Sequence, residues 1–211
     1  MRILKTLFAA LFLASASLAL AADPVEGKDY ETLNPPRATD SPGKIEVTEF
    51  FWYGCGHCYQ FETTLNQWVK TLPKDVSFRH VPGVARPWLP GGKLFYTLEA
   101  MGLEDKLRAQ IFNAVHESRE LHPGKESDFA DWLAKKGVDA KKFTDTYSSF
   151  TVQSKMKRAE QLNTDYRIGS VPSLVINGRY SIIQPNVMSP ERFVAVANGL
   201  VAKARAEQGR K

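Results

Sequence analysis

Two cysteines, Cys55 and Cys58, are the only cysteines in this 211-residue chain, and they are separated by Gly56 and His57. A disulfide within this pair closes a very small loop and therefore adds little to the stability of the folded chain. A zinc ion needs four ligands, and the other histidines form no recognisable second half-site: His80, His116 and His122. The pattern favours thiol–disulfide exchange over metal binding or an inert structural disulfide, and we expect no cofactor and no metal.

The residues around the motif predict where each sulfur lies. An alternating segment rich in β-formers, Ile45 to Trp52, predicts a strand before the motif, and helical spacing of Phe61, Leu65 and later apolar residues predicts a helix that begins at the motif. Cys55 would then lie exposed at the helix N-terminus, where the helix dipole and backbone N–H groups stabilise a thiolate. Cys58, three residues before Phe61, would lie on the buried face. We therefore expect Cys55 to be the attacking sulfur and Cys58 the resolving one.

Two further side chains could assist the cysteines. His57 can favour the Cys55 thiolate by charge or hydrogen bonding, or it can simply face solvent. Glu49 shares one strand face with apolar residues (Ile45, Val47 and Phe51), which predicts a partly desolvated carboxyl with a raised pKa. Glu49 could then move protons to and from the buried sulfur. The alternative is an acid paired with a lysine at the sheet edge.

The remaining elements predict an α/β chain whose two halves are separated by helices. A strand over 76–81 follows the first helix, and a Pro/Gly-rich loop is predicted over 84–92. Helical patterns fill the middle of the chain, including one capped by Ser127 and closed by Gly137. Near the end, Asn177-Gly178 predicts a two-residue turn between strands over 173–176 and 180–183, and Ser189-Pro190 opens a last helix.

The N-terminal segment and the composition indicate the compartment. Arg2 and Lys5 precede a charge-free run from Leu7 to Leu20, which predicts a signal peptide over 1–21, cleaved after Ala21 or one residue later. A membrane anchor is the alternative, although the run is short for a membrane span and rich in Ala and Ser. The composition, 43% hydrophobic and 24% charged, is typical of a soluble protein, and the net charge of +5 without a Lys/Arg block argues against nucleic-acid binding.

Several motifs together resemble the DsbA family of periplasmic thiol:disulfide interchange proteins, in the thioredoxin superfamily. They are Glu49-Phe50-Phe51, Cys55-Gly56-His57-Cys58, Tyr59-Gln60-Phe61-Glu62, Val171-Pro172 and Val175-Ile176-Asn177-Gly178. The resemblance implies an α/β thioredoxin-like fold, a central mixed β-sheet flanked by helices, with an inserted helical domain. The thioredoxin-like domain would comprise residues 22–83 and 151–211, and the inserted α-helical domain residues 84–150.

The resemblance also implies roles for single residues. Pro172 corresponds to a cis-proline beside the cysteine pair, and Val171 would offer its backbone to an extended substrate peptide. Glu49 corresponds to the family's buried acid. Trp52 and Tyr53 are candidates for substrate contact because they adjoin the motif.

The function implied is periplasmic donation of the Cys55–Cys58 disulfide to newly exported proteins that contain cysteines and are unfolded or partly folded. A DsbB-like, quinone-linked membrane oxidase would restore the disulfide, and we expect a monomer. This chain has Gly56-His57 where many DsbA proteins have Pro-His, and Gly-His is also the dipeptide of eukaryotic disulfide isomerases. The strength of this protein as an oxidant therefore remains to be measured.

Two alternatives are a disulfide reductase or isomerase of the same superfamily and a peptide-binding chaperone with an incidental cysteine pair.

Overall fold

The computed structural model describes residues 23–183 and 189–209, so the predicted signal peptide lies outside the described residues. A five-stranded sheet has the order β1-β5-β4-β2-β3. Its strands are β1 (Tyr30–Thr32), β2 (Ile45–Phe51), β3 (Val76–Pro82), β4 (Ser173–Ile176) and β5 (Tyr180–Ile182). Strands β2 and β3 pair in parallel and the other pairs are antiparallel. The sheet is therefore mixed, as the family resemblance implies.

Helices pack around this sheet. They are α1 (Gly56–Val69), α2 (Leu89–Ala100), α3 (Glu104–His116), α4 (Phe129–Ala134), α5 (Ala140–Tyr147), α6 (Phe150–Asp165) and α7 (Pro190–Gln208). In four of them the backbone N–H three residues along donates to the side chain of the N-cap residue, which is Cys55 at α1, Asp139 at α5, Ser149 at α6 and Ser189 at α7. Within the part of the chain described, none of the helices combines the length and apolar character needed to cross a bilayer.

Strand β2 lies at the centre of the structure, between β4 and β3, and all seven of its residues are buried. The strand itself is predicted from the sequence, and in the structure other elements pack over both of its faces. One face, with Ile45 and Val47, packs against α1 and α7. On the other face Glu46 is buried and paired with Arg79, with 3.0 Å between the carboxylate and guanidinium. The polar positions of β2 therefore face buried partners rather than water.

Helix α2 begins earlier than the sequence predicts. The Pro/Gly-rich segment over 84–92 is a loop only in its first part, because a 3₁₀ turn (Arg86–Trp88) leads into α2 at Leu89. Pro90 lies in the first helical turn, where its missing N–H costs nothing. Gly91 and Gly92 lie inside the helix, and the space at Gly91 requires glycine because a β-carbon there would lie 2.9 Å from the Pro123 carbonyl oxygen.

Two other predicted boundaries differ from the structure. Asn177 and Gly178 both have positive φ, and the Arg179 N–H donates to the Ile176 carbonyl at 3.0 Å. Strand pairing resumes only at Tyr180, so the loop has three residues rather than two. At α4, a 3₁₀ turn (Glu126–Asp128) precedes the helix and the Ser127 hydroxyl donates to the Asp128 carboxylate, so Ser127 is not the cap.

Candidate active site

Cys55 is the N-cap residue of α1. Its backbone is extended, and its Sγ accepts a hydrogen bond from the Cys58 N–H at 3.2 Å. Hydrogen bonds from the Cys58 thiol and from the N–H groups of Cys58 and His57 lower the pKa of Cys55 to about 7, although partial burial opposes them. The positive charge of His57 acts in the same direction as these bonds. A half-buried sulfur at a helix N-terminus is thus held close to its thiolate form at neutral pH.

Cys58 lies one helical turn further on and is only 1% exposed. Burial raises the pKa of its thiol well above the ordinary range, and the neighbouring Cys55 sulfur raises it further. Both cysteines carry free thiols, so the structure represents the reduced pair. The two sulfurs differ in accessibility and acidity, which is the asymmetry that exchange chemistry requires.

The Val171–Pro172 segment lies beside Cys55. The peptide bond between these residues is cis, and the Cys55 thiol lies 3.3 Å from the Val171 carbonyl oxygen, to which it can donate. Strand β4 begins immediately after Pro172, at Ser173. The start of β4 therefore brings backbone polar groups to the reactive sulfur.

Glu49 lies beneath the motif on β2, directly opposite His80 in the parallel register with β3. Its side chain is 1% exposed. One carboxylate oxygen, Oε2, lies 2.5 Å from His80 Nδ1 and 3.3 Å from Arg108 Nη2. Burial raises the pKa of Glu49 to about 7, against the lowering effect of Arg108. A lysine at a sheet edge is therefore not its partner, because β2 is a central strand and the contacts come from histidine and arginine.

Arg108 on α3 connects three buried carboxylates, those of Glu49, Glu62 and Glu104. Its Nε donates to Glu62 on α1 at 2.7 Å, and its Nη1 donates to Glu104 at 3.2 Å. The guanidinium carbon also lies 4.1 Å from the centre of the Phe51 ring. Three buried carboxylates thus share one guanidinium, and burial raises the pKa of Glu49 despite the attraction of Arg108.

Sequence reasoning missed part of this cluster. Arg108 and Glu104 are four residues apart on a helix, a spacing typical of exposed ion pairs, so nothing in the chain marks them as buried. His80 enters the sequence argument only as a possible metal ligand. Its position two residues after Phe78 on β3 is the available signal, because alternation puts both side chains on one face.

The other predicted site residues near the motif differ in how far they are exposed. Trp52 is half-buried and stacks on Trp88, with ring centres 4.9 Å apart. His57 is exposed in the first turn of α1. Tyr53 is only 1% exposed, and its hydroxyl donates to Glu104 at 3.0 Å, so its side chain lies in the core rather than on a substrate-facing surface. The prediction that the Tyr53 side chain contacts substrate is therefore wrong, because this side chain is buried beside the Glu104 carboxylate.

Within residues 23–183 and 189–209, no group of three or more His, Cys, Asp or Glu side chains is arranged to hold a metal ion.

Comparison with known proteins gives consistent results. A family model described as the DSBA-like thioredoxin domain matches residues 91–195. The thiol:disulfide interchange protein DsbA of Burkholderia cepacia is 45% identical over 185 residues, covering 85% of each chain. The protein of the same name from Pseudomonas aeruginosa is 40% identical over 208 residues, covering 96% of this chain and 98% of that one.

Solved structures agree in fold. The crystal structure of Pseudomonas aeruginosa DsbA has a TM-score of 0.82 at 40% identity, covering 87% of this chain and 95% of that chain. The oxidoreductase DsbA from Xylella fastidiosa has a TM-score of 0.81 at 29% identity, covering 87% of this chain and 98% of that chain. The similarity therefore extends over almost the whole of the described chain.

Proposed function

The chain belongs to the DsbA family of thiol:disulfide interchange proteins, and on that premise we propose which of its residues carry out each step of the exchange. It is a thiol:disulfide oxidoreductase that donates a disulfide to other proteins. The observation that carries our assignment is the contrast between the two sulfurs: Cys55 is half-buried with its pKa lowered to about 7, and Cys58 is buried with its pKa raised.

In the oxidised protein, a substrate thiolate attacks Cys55 Sγ and the Cys55–Cys58 bond breaks. Cys58 leaves as a thiolate and takes up a proton, because its buried sulfur strongly favours the neutral form. A second substrate thiolate then attacks the substrate sulfur of the mixed disulfide. Cys55 leaves as a thiolate, and the substrate gains the disulfide that the enzyme loses.

Glu49 is proposed as the proton donor for Cys58. With a pKa of about 7, its carboxyl is partly protonated at neutral pH and can both give and accept a proton. Its second oxygen, Oε1, is buried and has no hydrogen-bond partner among the described residues, so it remains available to a neighbouring group. His57 is proposed to stabilise the Cys55 thiolate by its charge and its backbone N–H.

Substrate peptides are proposed to bind in extended form along the backbone of Val171, with Pro172 removing an N–H from the surface next to the sulfur. Support comes from the 3.3 Å contact between the Val171 carbonyl oxygen and the Cys55 thiol, because a peptide beside Val171 also lies beside Cys55. The half-buried Trp52, stacked on Trp88, is proposed as an apolar contact next to this segment.

We further propose that oxidation is the direction of the reaction in the periplasm. Stabilising the Cys55 thiolate stabilises the reduced pair and makes the disulfide the stronger oxidant. Unfolded or partly folded exported proteins with cysteines would be the substrates, and a DsbB-like quinone-linked membrane oxidase would restore the disulfide. Export by a signal peptide over 1–21, a monomeric state, and an inserted helical domain over 84–150 are part of the same proposal.

The test begins with the purified mature protein and a reduced dithiol peptide. Oxidised wild-type protein should transfer its disulfide, and Cys58→Ser should accumulate a mixed disulfide through Cys55. The double variant Cys55→Ser, Cys58→Ser should be inactive in an oxidative refolding assay, and full activity of that variant would support the chaperone alternative instead. Equilibration with glutathione mixtures tests the direction: a couple more reducing than glutathione would indicate a reductase.

A further inference from the structure

A solvent-open pocket adjoins the buried cluster around Glu49, because His80 and Glu104 of that cluster line it. It has a volume of about 310 Å³ and is lined by His80 together with Arg79, Glu99, Glu104 and Asp105, among others. His80 therefore faces in two directions. It contacts the buried Glu49 carboxylate through Nδ1, and 16% of its side chain is exposed.

Glu49 needs a neighbouring group that can carry protons between its carboxyl and water. Its side chain is 1% exposed, so a proton exchanged with Cys58 cannot pass directly between the carboxyl and bulk water. Among the described residues, Arg108 and His80 are the two whose side chains bond to this carboxylate. Arg108 is only 5% exposed, and its guanidinium does not give up a proton at any working pH. Of the two, only the imidazole can accept a proton and also meet water.

We propose that His80 relays protons between Glu49 and water in this pocket, so that Cys58 exchanges its proton with solvent through Glu49 and then His80. This step rests on the proposed function of Glu49. When the pair is reoxidised, the Cys58 thiol loses a proton to the Glu49 carboxylate, and the resulting Cys58 thiolate attacks Cys55 Sγ in the mixed disulfide. The partner sulfur leaves with the electron pair of the broken bond. The Glu49 carboxyl then gives its proton to His80 Nδ1, and Nε2 releases one to water.

The charges around His80 suit a neutral relay. Glu49 faces it from β2, Arg108, Glu104 and Asp105 from α3, and Glu62 from α1, while Arg79 and Glu99 also line the pocket. Burial lowers the pKa of His80 to about 3, and Arg108 lowers it while Glu104, Glu62 and Asp105 oppose this. A neutral imidazole can accept at one nitrogen and donate from the other, so proton transfer requires no lasting charge on His80.

The experiment measures the step in which Cys58 resolves a mixed disulfide. Reduced full-length mature protein is mixed with oxidised glutathione, and closure of the Cys55–Cys58 bond is followed by acid quench. His80→Ala should slow closure by about a hundredfold, the lower end of the usual contribution of a positioned proton-transfer group. Added imidazole should enter the space left in the pocket and restore the rate in proportion to its free-base concentration. His80→Gln, which fills the same space without relaying a proton, should be slow and should not respond to imidazole.

Controls separate a relay from a structural effect. His116→Ala removes a partly buried imidazole that bonds the Tyr53 carbonyl instead of Glu49, so it should not respond to imidazole. Alkylation of Cys55 by iodoacetamide should have the same pH profile in His80→Ala and wild type.

Unchanged closure in both His80 variants, or slow closure in His80→Ala that imidazole does not restore, would overturn the relay. If His80→Ala does not fold, unchanged closure in His80→Gln overturns it and slow closure supports it. Failure of the proposed function is a different result: wild-type protein would then not oxidise a dithiol peptide.

Discussion

The Cys55 thiol lies 3.3 Å from the carbonyl oxygen of Val171, although 116 residues separate the two in the chain. The contact exists because β2 and β4 are neighbours in the sheet, so the end of β2 meets the start of β4. Cys55 follows β2 by four residues and Val171 precedes β4 by two. The reactive sulfur and the backbone proposed to hold the substrate are thus positioned by the same pair of strands.

The acidity of Cys55 predicts a pH profile for its reactivity. Alkylation by iodoacetamide should rise as pH increases through about 7, because the thiolate is the nucleophile. Since the folded pKa lies below the ordinary value of 9.0, the reduced protein should gain stability as pH rises from about 7 to 9, and lose it as pH falls through 7. Urea unfolding of reduced wild type against reduced Cys55→Ala measures this gain. Equal pH dependence in the two proteins would contradict it.

Glu49→Gln should slow the step in which Cys58 is deprotonated and should remove the ionisation near pH 7 from that step. A raised folded pKa means that Glu49 favours folding when protonated, and that this contribution is lost as pH rises from 4.5 through about 7. The amide resembles the protonated carboxyl, so the stability of the variant relative to wild type should increase over the same range. Stopped-flow exchange and urea unfolding at pH 5 and pH 8 measure both effects. A rate and pH dependence identical to wild type would exclude Glu49 from proton transfer.

Arg108→Met should be strongly destabilising. It removes the cation shared by Glu49, Glu62 and Glu104 and leaves three buried acids without a positive partner, a loss of about 3–5 kcal/mol. Arg205→Met is the matched control, because both side chains of the Arg205–Asp75 pair are nearly half exposed and water screens their attraction, so its loss should be much smaller. Denaturant unfolding at pH 7 measures the free energy of unfolding of both variants. Similar losses would show that the buried cluster stabilises the protein no more than an exposed ion pair does.

The two glycines beside Cys55 should respond differently to alanine. A β-carbon on Gly54 would overlap the indole ring of Trp52, so Gly54→Ala should cost about 1–3 kcal/mol and displace that ring. A β-carbon on Gly56 meets none of the described residues within 4 Å, and Gly56→Ala in the first turn of α1 should leave stability unchanged or raise it by up to about 1 kcal/mol. Thermal unfolding and tryptophan fluorescence distinguish the pair. Equal losses in both variants would contradict the geometry.

Local patterns were good predictors where local forces decide the structure. The strand before the motif, the helix beginning at the cysteines and the last helix at Ser189-Pro190 were all predicted from spacing, caps and proline. The predictions were wrong where contacts with residues far away in the sequence outweigh the conformational preference of the local residues. Gly91 and Gly92 predict a loop, yet they lie in a helix, where the absence of a side chain leaves room for Pro123 and Met156.

The chemistry of the cysteine pair also followed from the sequence, because two isolated cysteines at a strand–helix junction have few other uses. The residues that surround Glu49 did not follow from the sequence. Glu49 was identifiable from the face it shares with apolar residues, but its partners depend on contacts across 31 and 59 residues, to His80 and Arg108.

The sequence by itself determined the elements, the asymmetric cysteines and the buried acid, because helix dipoles, strand alternation and turn residues act over a few positions. Only the tertiary structure decided which side chains share the interior. Tyr53 adjoins the motif yet is turned into the core, while Arg108, in the middle of a distant helix, lies among three carboxylates. Burial and the pKa shifts that come with it depend on everything packed around a residue, and no local stretch of sequence contains that information.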